Sequence, residues 1–228
     1  MADRTALITG GTGGLGTAVV AAFAADGWRV VVPDRAVASR APIAGAELVQ
    51  ADLGERAEVE GALAVATGQP DAPLRALVNL VGGFAADQPV ATTPLADFEA
   101  QFARNLRPTY LVTQAALPAL VAAGGGAIVC VSSRSALHPF AGAAGYCASK
   151  AAVIAFAQVV AREHAADGVR CNAILPAMVD TPANRASMPA SQHAKLTPPA
   201  EIAEVVRFLC SDGAAPTTGA AIPVYGGP

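Results

Sequence analysis

The sequence predicts an α/β fold, a doubly wound parallel sheet of about seven strands with helices on both faces. Three observations lead there. Short apolar runs alternate with longer helical stretches, the connections between them are short, and a glycine-rich turn, Gly10-Gly-Thr-Gly-Gly-Leu-Gly16, joins the first run to the first helical stretch. Alternation of this kind lays strands side by side in parallel, with helices crossing over the faces. Neither a repeat nor a linker interrupts it, so residues 1–228 are expected to form one domain.

Composition narrows the function classes. With 53% hydrophobic and 14% charged residues, the chain can bury a large interior. A net charge of −3 provides no basic patch, which argues against nucleic-acid binding. Cys130, Cys147, Cys171 and Cys210 form no C-x-x-C or Cys/His cluster, as expected of reduced thiols in a cytoplasmic protein. Cys147, beside Tyr146, is the one whose reactivity merits a test. Met-Ala-Asp-Arg at the start lacks the basic and apolar regions of a signal peptide. The uncharged run Leu111 to Val131 is long enough for a bilayer, but Pro118 and Gly124-Gly-Gly126 divide it into a buried helix and a buried strand. No membrane partner and no metal site are expected, and His164 and His193 have no metal-ligand spacing.

The first strand is read at 4–9 and the first helix from Gly16 to about Asp26, with Gly27 as its C-terminal cap. Glycines in the turn between them let the backbone approach a pyrophosphate at the helix N-terminus. A second strand, Arg29 to Val32, leads to Asp34. An acidic residue at that distance accepts from ribose hydroxyls and repels a 2′-phosphate, which favours NAD; Arg35 beside it argues for NADP. A solvated turn Asp after Pro33 is the alternative. The third strand spans 47–50, the second helix 55–67, and the fourth strand 74–80.

A Pro-containing loop follows Gly83, then a helix from about Pro94 that carries Asn105. Pro108 removes a donor and disturbs the turn before it, which would free the Asn105 carbonyl to bind water. The fifth strand is expected at 127–131, a helix from the Tyr146 region to about Ala166, and the sixth strand at 169–175. From Pro176 to Pro199 no helix pattern stands out, and so long a loop suggests a lid over a substrate. A last helix at 199–211 and a strand at 220–225 complete the chain.

The stretch Ser132 to Lys150, SSRSALHPFAGAAGYCASK, carries the chemistry. Tyr146 and Lys150 lie four apart, hence on one helix face. An ammonium about 5 Å from a phenol, at an effective dielectric of about 20, favours the phenolate by roughly 3 kcal/mol, about two pKa units. That would bring Tyr146 toward the range of a general acid/base. A hydroxyl from Ser132 or Ser133 would hold a carbonyl oxygen in front of it. Tyr-x3-Lys alone also arises by chance in many helices.

Together, Thr9-Gly10-x3-Gly14-x-Gly16, Asp52, Asn79-x-x-Gly82, Asn105, Ser133 and Tyr146-x3-Lys150 resemble the classical short-chain dehydrogenase/reductase pattern, over essentially the whole chain. The resemblance implies a Rossmann-type dinucleotide-binding and catalytic domain that moves a hydride between NAD or NADP and a ketone or secondary alcohol. It implies Tyr146 as acid/base, Lys150 as the cation that lowers its pKa and holds the nicotinamide ribose, and Ser133 as the hydroxyl polarising the carbonyl. Asn105 would hold a relay water. Cofactor contacts are implied at Gly10, Thr12, Gly14, Leu15, Gly16, Asp34, Arg35, Asp52, Leu53, Asn79, Val81, Gly82, Pro176, Val179 and Thr181.

Phe84, Arg134, His138, Phe140 and Met178 are candidate substrate contacts, with an anion contact at Arg134. Arg134 and His138 read equally as solvated loop residues. Three departures from the family pattern, Leu80-Val81, Ala177 and Tyr225, bear on substrate more than on chemistry. A small-molecule carbonyl or alcohol is the expected partner, alongside a second copy. The helix over Ala151 to Ala161 is apolar on nearly every side, which suggests a dimer or tetramer. The alternative from another class is a cofactor sensor or scaffold without catalysis, which would be expected to lack Tyr146 or Lys150.

Overall fold

A computed structural model describes residues 2–85 and 88–226. Seven strands, β1 (Thr5–Thr9), β2 (Arg29–Asp34), β3 (Ala46–Gln50), β4 (Leu74–Asn79), β5 (Gly126–Val131), β6 (Val169–Pro176) and β7 (Ala221–Val224), form one sheet in the order β3-β2-β1-β4-β5-β6-β7. Every neighbouring pair is parallel. The helices are α1 (Gly16–Ala25), α2 (Arg56–Thr67), α3 (Leu95–Asn105), α4 (Arg107–Ala122), α5 (Ala144–Glu163), α6 (Pro182–Ala186) and α7 (Pro199–Leu209).

The sheet is apolar on both faces, as a parallel sheet sandwiched by helices must be. Leu7, Val31, Leu77, Ile128 and Leu175 pack under α2, α4 and α5. Ile8, Val30, Val32, Val78, Val129 and Ile174 pack under α1 and α7. The chain winds outward from β1 to β3, then returns to place β4 on the other side of β1. Ligands enter such sheets at this reversal, past the strand ends.

Prolines fall where the ladders tolerate them. In β2, Pro33 lies beyond the last β1 partner, Val31. β7 is an edge strand, and the Ala220 and Val224 carbonyls accept from Ala173 and Ala177 on the β6 side. Backbone groups alternate sides along a strand, so Pro223, between them, turns its donorless nitrogen to the outer edge.

Two expectations are corrected. The segment from Pro176 to Pro199 is not plain loop: it contains α6 and a 3-10 stretch at Ala190–Lys195, and Val179 bridges Thr197. Thr181 caps α6 by accepting from the Asn184 amide, and Pro182 opens its first turn, signals too short for a periodicity to reveal. The chain around Pro108 forms two helices broken at Leu106, with the proline in the first turn of α4, where its missing donor costs least. The Asn105 carbonyl is engaged there by the Thr109 hydroxyl at 3.3 Å. The loop after Gly83 includes residues 86–87, and the C-terminal Gly-Gly includes residue 227; these lie outside the described residues.

Candidate active site

A cleft of about 530 Å³ opens past the carboxyl ends of β4, β5 and β6. Of the residues singled out in the sequence, Leu15, Gly82, Phe84, Ser133, Arg134, Phe140, Tyr146, Lys150, Pro176, Met178, Val179 and Thr181 line it. The strand ends deliver Ser132, Ser133 and Pro176, and the first turns of α5 deliver Tyr146 and Lys150.

The two serines divide their work. Ser132 is buried and donates to the Lys150 carbonyl at 2.7 Å, which ties β5 to α5. Ser133 accepts from the Ser135 amide at 3.1 Å, and its hydroxyl is near enough to the Tyr146 phenol to favour the ionised form. A carbonyl or hydroxyl oxygen between these two groups would meet one hydroxyl fixed on a strand and another on a helix.

Lys150 corrects one expectation. Its ammonium is buried and donates to the Val131 carbonyl at 2.9 Å. Burial pulls its pKa down to about 8, with Cys130 acting weakly the other way. Tyr146 is shifted upward, chiefly by burial; the Ser133 hydroxyl opposes that and Cys147 adds to it. The counterweight to burial is thus Ser133, not Lys150. A cation lowers a phenol's pKa where the pair is partly solvated; here desolvation dominates both groups.

Asn105 is fully buried. Its side-chain oxygen accepts from the Gly83 amide at 2.9 Å, and its nitrogen donates to Ser149 at 3.2 Å. Ser149 in turn donates to the Tyr146 carbonyl at 2.8 Å. This chain of bonds fastens the loop after β4 to the start of α5. A Cβ added at Gly82 would lie 2.7 Å from the Asn105 side-chain oxygen and 3.0 Å from the Lys150 nitrogen. A glycine there keeps open the point where the two converge.

The glycine turn is shaped as a dinucleotide requires. Gly10 has φ +66° and packs against Leu80 and Val81, whose amides reach the Thr9 hydroxyl at 3.1 and 3.4 Å. A Cβ at Gly16 would overlap the Gly10 carbonyl oxygen, so only glycine permits this turn into α1. A Cβ at Gly14 would lie 2.6 Å from the Thr181 side chain, so the glycine turn packs closely against the segment after β6. Leu15, at the N-terminus of α1, lines the cleft, so a helix N-terminus borders it, a fit for phosphates.

At the end of β2, Asp34 accepts from Thr12 and from the Ala36 amide, and Arg40 pairs with it at 3.3 Å. Burial opposes its charge, but Thr12, Ala36 and Arg40 outweigh that and hold the carboxyl below its usual value. The guanidinium at Asp34 therefore belongs to Arg40; Arg35 is exposed.

Other expected contacts lie off the cleft. Asn79 is buried and donates to Thr113 at 3.0 Å, Leu53 is a core residue, and Asp52 caps its own turn through the Gly54 amide. Val81 packs partly into the core. His138 stands edge-on to Tyr225, away from the cleft lining. Gly83, Val131, Ser135, Ala177 and Asn184 also line the cleft and were missed as contacts. Asn184 carried no sequence signal because α6 was not foreseen. All four cysteines are free and buried, and among the described residues no group of His, Cys, Asp or Glu is arranged for a metal.

Fold and cleft together define a nicotinamide-dependent oxidoreductase acting on alcohols or carbonyls. A family model described as short chain dehydrogenase matches residues 4–192, and the chain belongs to that family. It is 31% identical to a 2-(R)-hydroxypropyl-CoM dehydrogenase of Xanthobacter autotrophicus, covering 98% of each chain. It is 32% identical to a (3R)-3-hydroxyacyl-CoA dehydrogenase of Rattus norvegicus, covering 97% of this chain and 95% of the other. Among solved structures, a 3-ketoacyl-(acyl-carrier-protein) reductase from Brucella melitensis complexed with NADH superposes with a TM-score of 0.87 at 30% identity, over 99% of this chain and 98% of that one.

Proposed function

We propose that residues 1–228 act as one catalytic unit in which Tyr146 is the acid/base and Ser133 the hydroxyl that holds the substrate oxygen. The observation that carries this reading is that Ser133, Tyr146 and Lys150 line one cleft, with the Ser133 hydroxyl near enough to the phenol to favour its ionised form. In reduction, Ser133 donates to the carbonyl oxygen and Tyr146 gives its proton to the same oxygen as charge builds on it. Oxidation runs the reverse. When bound, the nicotinamide supplies or accepts the hydride. Lys150 holds its ribose, and Asn105 positions the surrounding backbone through Gly83 and Ser149.

Gly10, Thr12, Gly14, Leu15 and Gly16 are assigned to the pyrophosphate, and Pro176, Val179, Thr181, Val81 and Gly82 to the nicotinamide half. Asp34, Arg35, Asp52, Leu53 and Asn79 are assigned to the surroundings of the adenosine. NAD is the favoured cofactor because Asp34 stays ionised at the end of β2; its pairing with Arg40 weakens the repulsion of a 2′-phosphate, so NADP is the competing choice. Phe84, Arg134, Phe140 and Met178 contact the substrate, with 176–199 as the segment over it. Four free cysteines support a reducing, cytoplasmic setting.

The test is Tyr146→Phe. It keeps the fold and cofactor binding but loses at least about a hundredfold in turnover, the usual scale of general acid/base catalysis. Near-normal turnover, followed by nicotinamide absorbance with both cofactors, would exclude the assignment.

A further inference from the structure

We propose that the substrate pairs an apolar body with an oxyanion, a carboxylate or its equivalent, placed a few bonds from the reacting carbonyl, and that Arg134 reads the oxyanion. This rests on the active-site assignment above and adds to it the chemical class of substrate.

The apolar half is explicit. Phe84 stands edge-on to Tyr146 with ring centroids 5.1 Å apart, and Phe140 lies 6.2 Å from Phe84. Phe84, Phe140 and Met178 are 57%, 50% and 49% exposed, although all three line the cleft. Three large apolar side chains left half bare around one opening form a surface that gains by being covered.

The charged half comes from what the cleft lacks. Its lining holds two cations, Lys150 and Arg134, and no Asp or Glu. Lys150 donates to the Val131 carbonyl, and its remaining donors are assigned above to the nicotinamide ribose. Asp180, beside the cleft residues Val179 and Thr181, has both carboxylate oxygens bound by Arg185. Among the described residues Arg134 donates no side-chain hydrogen bond and has no ion pair; its guanidinium rests 5.3 Å from the Tyr225 ring centre. Stacking fixes the plane of a guanidinium while leaving its edge donors available, the arrangement that suits bidentate capture of a carboxylate.

Position supplies the spacing. Arg134 follows Ser133 directly, with Cα atoms about 3.8 Å apart. Both line the same cleft, so an oxygen held by Ser133 and an anion held by Arg134 can belong to one small molecule. An exposed arginine that merely pins Tyr225 would show the same stack but no preference for an anion, which gives the experiment its contrast.

The probes are 4-oxo-4-phenylbutanoate and its methyl ester, which share the ketone and the phenyl group and differ in charge. Each is titrated calorimetrically onto the protein saturated with oxidised nicotinamide cofactor, where no reduction occurs. The acid is expected to bind at least tenfold tighter than the ester, with the difference shrinking as salt is added. Arg134→Leu and Arg134→Gln are expected to erase the difference by weakening the acid alone, with melting temperature and cofactor affinity unchanged. Equal binding of acid and ester by the wild-type protein, absence of binding by both, or a preference that survives in both variants overturns the proposal. Failure of the catalytic assignment registers separately, as Tyr146→Phe retaining turnover while the preference persists.

Discussion

At the scale of single residues, burial decides the chemistry. Lys150, with an ordinary value near 10.5, titrates at about 8 because its ammonium is desolvated. If catalysis needs that ammonium, kcat/KM falls as pH rises through about 8, and Lys150→Arg moves the fall to higher pH; a flat profile from pH 7 to 9.5 would contradict this. Stability responds with the opposite sign. Between about 8 and 10.5 the unfolded chain holds a proton the folded one has lost, so this group's contribution to stability rises with pH across that window. Asp34, held below its usual value, stays charged at neutral pH. Asp34→Ala is expected to move the ratio of kcat/KM for NAD over NADP toward NADP by at least tenfold, measured with one alcohol and both cofactors. Tyr146 and Lys150 were legible as a pair from their four-residue spacing, whereas the choice of Ser133 over Ser132 came only with the resemblance to the family pattern. Arg40 was not, since its approach to Asp34 depends on the path of the irregular 3-10 turn at Val37–Ser39.

At the scale of elements, the sharpest constraint is the turn into α1. Gly16→Ala would drive a Cβ into the Gly10 carbonyl, backbone that cannot step aside. A destabilisation above about 2 kcal/mol is expected by denaturant titration, at the upper part of the range for overpacking. Gly61, inside α2, meets nothing within 4 Å, so Gly61→Ala should add about 0.5–1 kcal/mol in the same assay. Strands were readable to within a residue or two because two-sided burial writes continuous apolar runs into them, while the expected end of α5 near Ala166 fell three residues past its end at Glu163. The short helix α6 and the break at Leu106 were not, because local capping by Thr181 and the position of Pro108 decide them rather than periodicity.

At the scale of the whole molecule, one apolar surface is left outside the sheet's cover. A groove of about 410 Å³ between α3, α4 and α5 is lined by Phe102, Leu106, Tyr110 and Phe156, among others. Tyr110 and Val159 are 45% and 50% exposed. α5 is long and apolar enough by composition to cross a bilayer, yet half of it is buried against the fold, and the expected second copy would cover the rest. Light scattering should give two or four times the chain mass, and Phe156→Glu should lower it; a wild-type monomer would refute the assembly. The outer margin of β7 bears on how copies can meet. With Pro223 presenting no amide to solvent at the middle of that strand, a neighbouring chain finds an interrupted template there. Copies that meet are steered toward helix faces, which close into finite clusters, and away from the open-ended stacking of sheet on sheet that leads to fibres.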